Sequence, residues 1–280
     1  MKKYWEGKSA VVTGAASGIG FALAKALIVR GVQVRVADID ADGIRQAARV
    51  LGSNAHPVVV DVRDASAVRD VVESTAREFG SIDFLFNNAG IIMSGEFHEF
   101  DTEHVDRIID VNIRSVVNGI VAAYPLMIRQ GGGHIVNTAS LAGLAPSPLL
   151  SSYAMTKHAV VGLTTSLRFE AARYGVRVSA LCPAAVDTPL LDAGMPPDLH
   201  EVPWRPNVRR YLERLAGTPF PPDKLAHAAL RGVERNQALI LVPARARLTA
   251  LIYRLAPGLV HTFGQHVLAA ERKERPQGSC

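Results

Sequence analysis

The sequence predicts a doubly wound α/β fold: one open parallel sheet of about seven strands with helices on both faces. Three observations carry this. Short β-branched apolar runs alternate with longer helical patterns from Ser9 to Pro243, which is the βαβ rhythm of a parallel sheet. The runs are apolar nearly throughout rather than alternating, as strands buried on both faces are. A chain of 280 residues, 48% hydrophobic, is long enough to bury one large layered core.

The strands are read, in order, at SAVVTG (9–14), VQVRVAD (32–38), HPVVVDV (56–62), IDFLFNNAG (82–90), GHIVNTAS (133–140), VRVSALCP (176–183) and ALILVP (238–243). Helical periodicity fills the gaps at 18–30, 40–51, 65–79, 101–129, 151–174 and 223–235. Two stretches escape the rhythm: a proline-rich insertion from Pro189 to Pro222, and a basic, apolar tail after Pro243. The expected organisation is one domain over 1–243, with 189–222 as its lid, and an amphipathic extension of that domain over 244–280.

Composition narrows the function classes. The formal charge is +5 and the pI about 9.4, but the 31 basic residues are interspersed with 26 acidic ones, so no nucleic-acid face is expected. The opening MKKYWEGKSAVVTG enters a strand pattern after eight residues, leaving no room for a secretory leader. Cys182 and Cys280 are the only cysteines. They have no metal-ligand spacing and suggest no disulfide framework, so a reducing cytoplasm and no metal are expected.

The first turn carries the first chemistry. In VVTGAASGIGFALAKAL a strand ends at Thr13, and Gly14, Gly18 and Gly20 open a helix. Backbone N–H groups and the helix N-terminus there would face a pyrophosphate, as in a Rossmann-type dinucleotide site. Asp38 follows at the end of the second strand, eighteen residues past Gly20, where a carboxylate can accept from the adenosine ribose hydroxyls and select NAD. Asp40 reads as the N-cap of the next helix. Arg35 is the rival signal, since an arginine can receive the 2′-phosphate of NADP; strand alternation puts it on the side of Ala37, away from Asp38.

Further along, Tyr153 and Lys157 stand four positions apart in SSYAMTKHAV, on one face of a helix. With TGAASGIG at 13–20, NNAG at 87–90 and Ser140 thirteen residues before YAMTK, the chain strongly resembles the short-chain dehydrogenase/reductase family over roughly residues 5–243. The resemblance implies a catalytic tetrad of Asn112, Ser140, Tyr153 and Lys157. It implies cofactor contacts from Gly14, Ser17, Gly18, Ile19 and Gly20 at the turn, and from Asp38 and Ile39 after the second strand. Asp61 and Val62 would bracket the adenine, Asn88, Ala89 and Gly90 would lie beside the central strand, and Val186 and Thr188 near the carboxamide. Lys157 would also hold the nicotinamide ribose, and Asn112 would keep a water in a proton relay. A homodimer or homotetramer is implied, with Val105, Ile109 and Val116 read as the outer face of one pairing helix.

Moving a hydride to or from a carbinol carbon requires a proton to join or leave its oxygen, so an acid/base must lie within hydrogen-bond reach. Tyr153 suits this, with a neighbouring ammonium and an oxidised nicotinamide both favouring phenolate over a phenol of pKa about 10. Ser140 would orient and polarise the substrate oxygen. Where the family has Pro-Gly after the sixth strand, this chain has Pro183-Ala184, a methyl added beside the pocket. Leu190, Leu191, Met195, Leu199 and Trp204 of the insertion, with Leu141, Leu144 and Leu150, offer an apolar lining, so a hydrophobic secondary alcohol or ketone is the expected substrate. Arg205, Arg209 and Arg210 are the alternative, as anchors for an anionic one. A dinucleotide-binding regulator without turnover would be expected to lack Ser140, Tyr153 or Lys157, and all are present.

The tail reads as two short amphipathic helices. Leu248, Leu251, Ile252 and Leu255 share one face, Pro257 and Gly258 interrupt it, and Leu259, Phe263 and Val267 resume. Arg254 and Pro257 break the apolar run well short of the roughly 20 residues a membrane span needs. Docking across the pocket mouth or a neighbouring subunit, or peripheral contact with an anionic membrane surface, are the two readings. Residues 271–280 are expected to be largely disordered.

Overall fold

The seven strands of the sheet all run parallel, in the spatial order β3-β2-β1-β4-β5-β6-β7. This computed structural model describes residues 2–275. The strands are β1 (Ser9–Thr13), β2 (Gln33–Asp38), β3 (Ala55–Val59), β4 (Phe84–Asn87), β5 (Gly133–Thr138), β6 (Val176–Pro183) and β7 (Leu239–Val242). Strand order reverses between β1 and β4, which opens a crevice at their carboxyl ends.

Successive strand residues point to opposite faces, and here both faces are covered. On one side α2 (Gly18–Ile28), α3 (Ala41–Leu51) and α9 (Pro222–Glu234) bury Leu23, Leu27, Ile44 and Leu230 against Val12, Val34 and Ile240. On the other, α4 (Ala65–Phe79), α6 (Ser115–Arg129) and α7 (Ser151–Ala172) bury Val72, Ile120 and Leu167 against Val11, Leu85 and Ile135. Val11 and Val12 thus belong to two different cores, which is why the strands read as unbroken apolar runs. Truncating Leu27 or Ile135 to alanine would cost roughly 2–5 kcal/mol. The helices start where short acids can cap them: Asp40 accepts from Gly43 N, and Asp64 from the N–H groups of Ser66 and Ala67.

Several boundaries differ from the sequence reading, each for a local reason. β3 stops at Val59 because Asp61 accepts from Arg63 N at 2.9 Å and turns the chain. β4 stops at Asn87 because Asn88 N and Ala89 N leave the ladder and donate to Thr13 Oγ1 at 2.9 and 3.1 Å. The helix expected over 101–129 is α5 (Thr102–Ile109) and α6 joined by a π-helical turn, Asp110–Arg114. This run has a mean hydropathy of 1.3 over a membrane-length window, but Ile108, Ile120 and Met127 face the core. Val116, read as an outer residue, is buried there too. A short helix α1 (Lys2–Trp5), absent from the sequence reading, packs the fully buried Trp5 on Phe84.

The insertion folds as a 3-10 turn, Pro189–Asp192, and a helix α8 (Val208–Ala216). The tail forms α10 (Arg245–Leu255) and α11 (Pro257–Arg272), separated where Pro257 and Gly258 break the pattern. The disorder expected from residue 271 does not begin there. Glu271 is fully buried, and Arg272 and Arg275 pair with Glu96 and Glu99. The rest of that expectation, 276–280, lies outside the described residues.

Candidate active site

At the crevice a cavity of about 1200 Å³ runs from the glycine turn to the tail helices. One end is built from backbone. Gly14 has φ +65°, and a Cβ there would lie 2.8 Å from Ala89 Cα; at Gly20 it would lie 2.0 Å from Gly14 O. The first glycine lets the turn pass close to β4, and the third lets α2 start directly over it. Gly14, Ser17, Gly18 and Ile19 line the cavity, whereas Gly20 is buried beneath the turn and does not. Asp38 and Ile39 line the same end. Asp38 Oδ2 accepts from Ala16 N at 3.0 Å, tying the carboxylate to the turn. Arg35 is turned away: it pairs with Glu78, and its guanidinium lies over the Phe79 ring.

Asp61 and Val62 line the cavity beside Arg63. Both Asp61 oxygens accept from the Arg63 side chain, at 2.6 to 3.0 Å, which holds the carboxyl below its ordinary value. Asn88, Ala89 and Gly90 form the wall beyond β4, with Asn88 Nδ2 donating to Thr13 O at 3.0 Å. Val186 and Thr188 face them. A dinucleotide fits this half chemically: a positively ended helix N-terminus, backbone left bare by glycine, and a carboxylate at the far end of the turn.

The other half gathers Ser140, Tyr153 and Lys157. Ser140, two residues past β5, caps the short turn that follows and accepts from Ala142 N at 3.1 Å, which turns its hydroxyl toward the cavity's edge over Pro183 O. Lys157, one helical turn past Tyr153, is buried; its Nζ donates to Thr138 O at 3.0 Å and lies 5.5 Å from the centroid of the Tyr153 ring. Burial pushes the Lys157 ammonium down to about 8. Burial also pushes the Tyr153 phenol up from its ordinary value, and the hydrogen bond with Ser140 works against that rise. This differs from the sequence reading. The desolvation of a phenolate is the largest influence on this group, and the Lys157 Nζ is directed to the Thr138 carbonyl.

Asn112 does not line the cavity. It is fully buried behind it, in the π-helical turn, exchanging hydrogen bonds with the backbone of Ile91 (2.9 and 3.0 Å) and donating to Thr156 Oγ1 at 3.1 Å. A Cβ on Gly90 would meet Asn112 Oδ1 at 3.1 Å and Lys157 Nζ at 3.5 Å, so the two groups flank one bare stretch of backbone. Sequence reasoning passed over Thr138 and Cys182. Cys182 sits beside Tyr153 and Lys157, fully buried, and burial pushes its thiol up to about 12. It is a neutral filler beside those two side chains.

The remaining walls are mainly apolar. Leu141, Leu150, Leu190, Leu191 and Met195 line them, together with Pro183 and with Ala184, the alanine that stands in place of the expected glycine. Leu144, Leu199 and Trp204 do not reach the cavity; Trp204 is buried with Ile92, Leu149 and Tyr211 in a separate apolar cluster between the insertion and the loops after β4 and β5. Arg205 pairs with Glu201, Arg209 with Asp187 and Asp192, and Arg210 with Glu271. Those guanidiniums are therefore engaged elsewhere. Thr249 of α10 and Val260, Phe263, Gly264 and Leu268 of α11 close the far end. Asp101, His104 and His200 gather within 4.8 Å nearby, but both ring nitrogens of His104 are engaged, with Asp101 Oδ1 and His200 O.

Comparisons with known proteins agree with this geometry. The family model described as short chain dehydrogenase matches residues 8–196. The putative oxidoreductase SadH of Mycobacterium tuberculosis is 33% identical over 256 residues, 90% of this chain and 91% of that protein. Among solved structures, a short chain dehydrogenase/reductase from Burkholderia phymatum in complex with NAD superposes with a TM-score of 0.83 at 30% identity, covering 91% of this chain and 95% of that one. A 3-ketoacyl-(acyl-carrier-protein) reductase from Brucella melitensis complexed with NADH gives 0.75 at 32% identity, covering 85% and 97%.

Proposed function

Because the chain belongs to the short-chain dehydrogenase/reductase family, we propose that this oxidoreductase moves a hydride between NAD(H) and a hydrophobic secondary alcohol or ketone. One observation carries the proposal. Ser140, Tyr153 and Lys157 share a single cavity with the glycine turn and Asp38, and the walls around them are largely apolar.

Gly14, Ser17, Gly18 and Ile19 would hold the pyrophosphate, Asp38 the adenosine ribose, and Asn88 to Gly90 with Val186 and Thr188 the nicotinamide end. The cofactor, when bound, supplies or accepts the hydride. Tyr153 gives its proton to the substrate oxygen in reduction and takes one in oxidation. Ser140 donates a hydrogen bond to the same oxygen as charge builds on it. Lys157 holds positive charge beneath the phenol in water-poor surroundings, where it favours phenolate. Asn112, fixed against the Ile91 backbone behind Lys157, would keep the water of a proton relay there. The substrate is uncharged in this proposal because Arg205, Arg209 and Arg210 already have carboxylate partners. A cytoplasmic location is proposed on cysteine usage. A homodimer or homotetramer is proposed through Val117 and Val121 of α6 and Phe169 of α7, which stay exposed.

The test is turnover of NAD(H) with a panel of hydrophobic alcohols and ketones, by wild type and Tyr153→Phe. Wild-type turnover that falls at least about a hundredfold in the variant, with cofactor binding intact, is the expected result. Cofactor binding without turnover on any member would favour a dinucleotide-binding regulator, and equal rates would remove Tyr153 from the chemistry.

A further inference from the structure

In α10 the helix is mounted with its apolar side outward. Leu248, Leu251, Ile252 and Leu255, at the i, i+3, i+4, i+7 spacing of one face, are 60%, 51%, 38% and 73% exposed, while Ala246 on the opposite side is buried. In α11, Leu259 and Phe263 extend the outward apolar surface at 68% and 52% exposed. These are the helices that close the catalytic cavity, and Phe263 belongs both to the exposed surface and to the cavity wall. The inward side of α11 is firmly held, with Val267 and Leu268 packed against the cluster of Trp204 and Tyr211, and with Glu271 between two arginines. The outward face is therefore not a loosely attached end awaiting its place in the core.

The charge these two helices carry has one sign as far as Glu271. No carboxylate occurs between Glu234 and Glu271, whereas Arg245, Arg247 and Arg254 lie on α10. Arg247 and Arg254 are exposed and form no ion pair among the described residues. On the helical projection they flank the leucines rather than oppose them. A two-fold contact between copies would place this patch against itself, guanidiniums facing guanidiniums with no acid on either side. An anionic lipid surface offers what is missing: acyl chains for the leucines and phosphates for the arginines.

We propose that α10 and α11 form an interfacial anchor that docks the protein on an anionic lipid surface, with the mouth of the cavity opening at the lipid boundary. The docking stands on this face alone. Entry of substrate from the bilayer rests, in addition, on the function proposed above.

The test is flotation of the full chain with vesicles of phosphatidylcholine alone and with vesicles of equal parts phosphatidylcholine and phosphatidylglycerol. Wild type should float with the anionic vesicles, at least roughly tenfold more than with the neutral ones, and be released by salt. Leu251→Glu with Leu255→Glu should abolish flotation; so should Arg247→Glu with Arg254→Glu. Both pairs should keep the wild-type melting temperature and turnover of a water-soluble ketone, since none of the four residues lines the cavity. Absence of flotation overturns the proposal, as does equal flotation on neutral vesicles. Absence of flotation together with a smaller particle in light scattering for the leucine pair would assign the face to contact between copies. Turnover is read on the same samples, so a failure of the proposed chemistry is seen separately from a failure to float.

Discussion

Arg214 Nη1 lies 2.6 Å from Oε2 of Glu271, a carboxylate with no solvent exposure. Arg210 Nη2 takes the other oxygen, also at 2.6 Å. Both arginines project from α8 of the insertion and the glutamate from α11 of the tail, so two segments outside the βαβ rhythm are clasped together beside the cavity they both line. Glu271→Gln would leave two guanidiniums facing a neutral amide. Because both arginines are partly exposed and water can reach them, the expected loss is modest, about 1–2 kcal/mol, seen as a lower melting temperature. Hydrogen exchange should show faster opening of α8 and α11 than of the sheet. Unchanged exchange in both helices would refute the clasp.

What sequence could reveal follows from the range of the forces involved. The sheet was legible because burial on both faces writes itself into each strand, as Val11 and Val12 show. The gathering of Ser140, Tyr153 and Lys157 was legible through motif spacing. The π-helical turn was not: nothing local marks it, and it serves a bond between Asn112 and Ile91, twenty-one residues apart. Glu271 looked like part of a solvated terminus because its partners lie 57 and 61 positions away. Trp204 read as pocket lining and Val116 as an outer face because hydrophobicity says that a residue is buried, not against what.

Cofactor choice should follow Asp38. Its carboxylate is fixed at the glycine turn by Ala16 N, and its other oxygen accepts from Asp40 N at 3.1 Å, so a 2′-phosphate would meet a negative group. Arg35, the one nearby rival in β2, is paired with Glu78. In side-by-side kinetics NAD should be favoured over NADP by at least about tenfold in kcat/KM, the scale of 1.4 kcal/mol, and Asp38→Ala should narrow the gap. A wild-type preference for NADP would overturn the assignment.

Acid stability should depend on His134. Its Nε2 donates to Ser179 Oγ at 2.8 Å, which itself donates to Gln237 O, while Nδ1 is buried with no partner among the described residues. Burial first, and then the charges of Arg177 and Arg168, push its pKa down to about 3. In the unfolded chain a histidine titrates near 6.5, at about its ordinary value, so between those limits the unfolded state binds more protons and stability rises with pH. Lowering pH from 6.5 toward 3 should therefore destabilise the fold, approaching about 1.4 kcal/mol per unit of pH from this group. His134→Gln keeps a donor for Ser179 and should flatten that part of the slope. Parallel slopes for the two proteins would show that other groups carry the acid sensitivity.

Lys157 should report on both activity and alkaline stability, because its ammonium is buried and pushed down to about 8, chiefly by desolvation. Below that value the charge sits under Tyr153; above it the charge is lost, and with it the group that favours phenolate. kcat/KM for ketone reduction should then decline above pH 8, by up to about tenfold per unit, and Lys157→Met should be slow at every pH. The stability sign is the reverse. An unfolded lysine keeps its proton to about 10.4, so between 8 and that value the unfolded chain binds more protons and the folded state gains as pH rises. Wild type should become more resistant to denaturant across that window relative to Lys157→Met. If activity declines but relative stability does not change, the titrating group in the rate profile is Tyr153 rather than Lys157, and the role proposed for the ammonium fails.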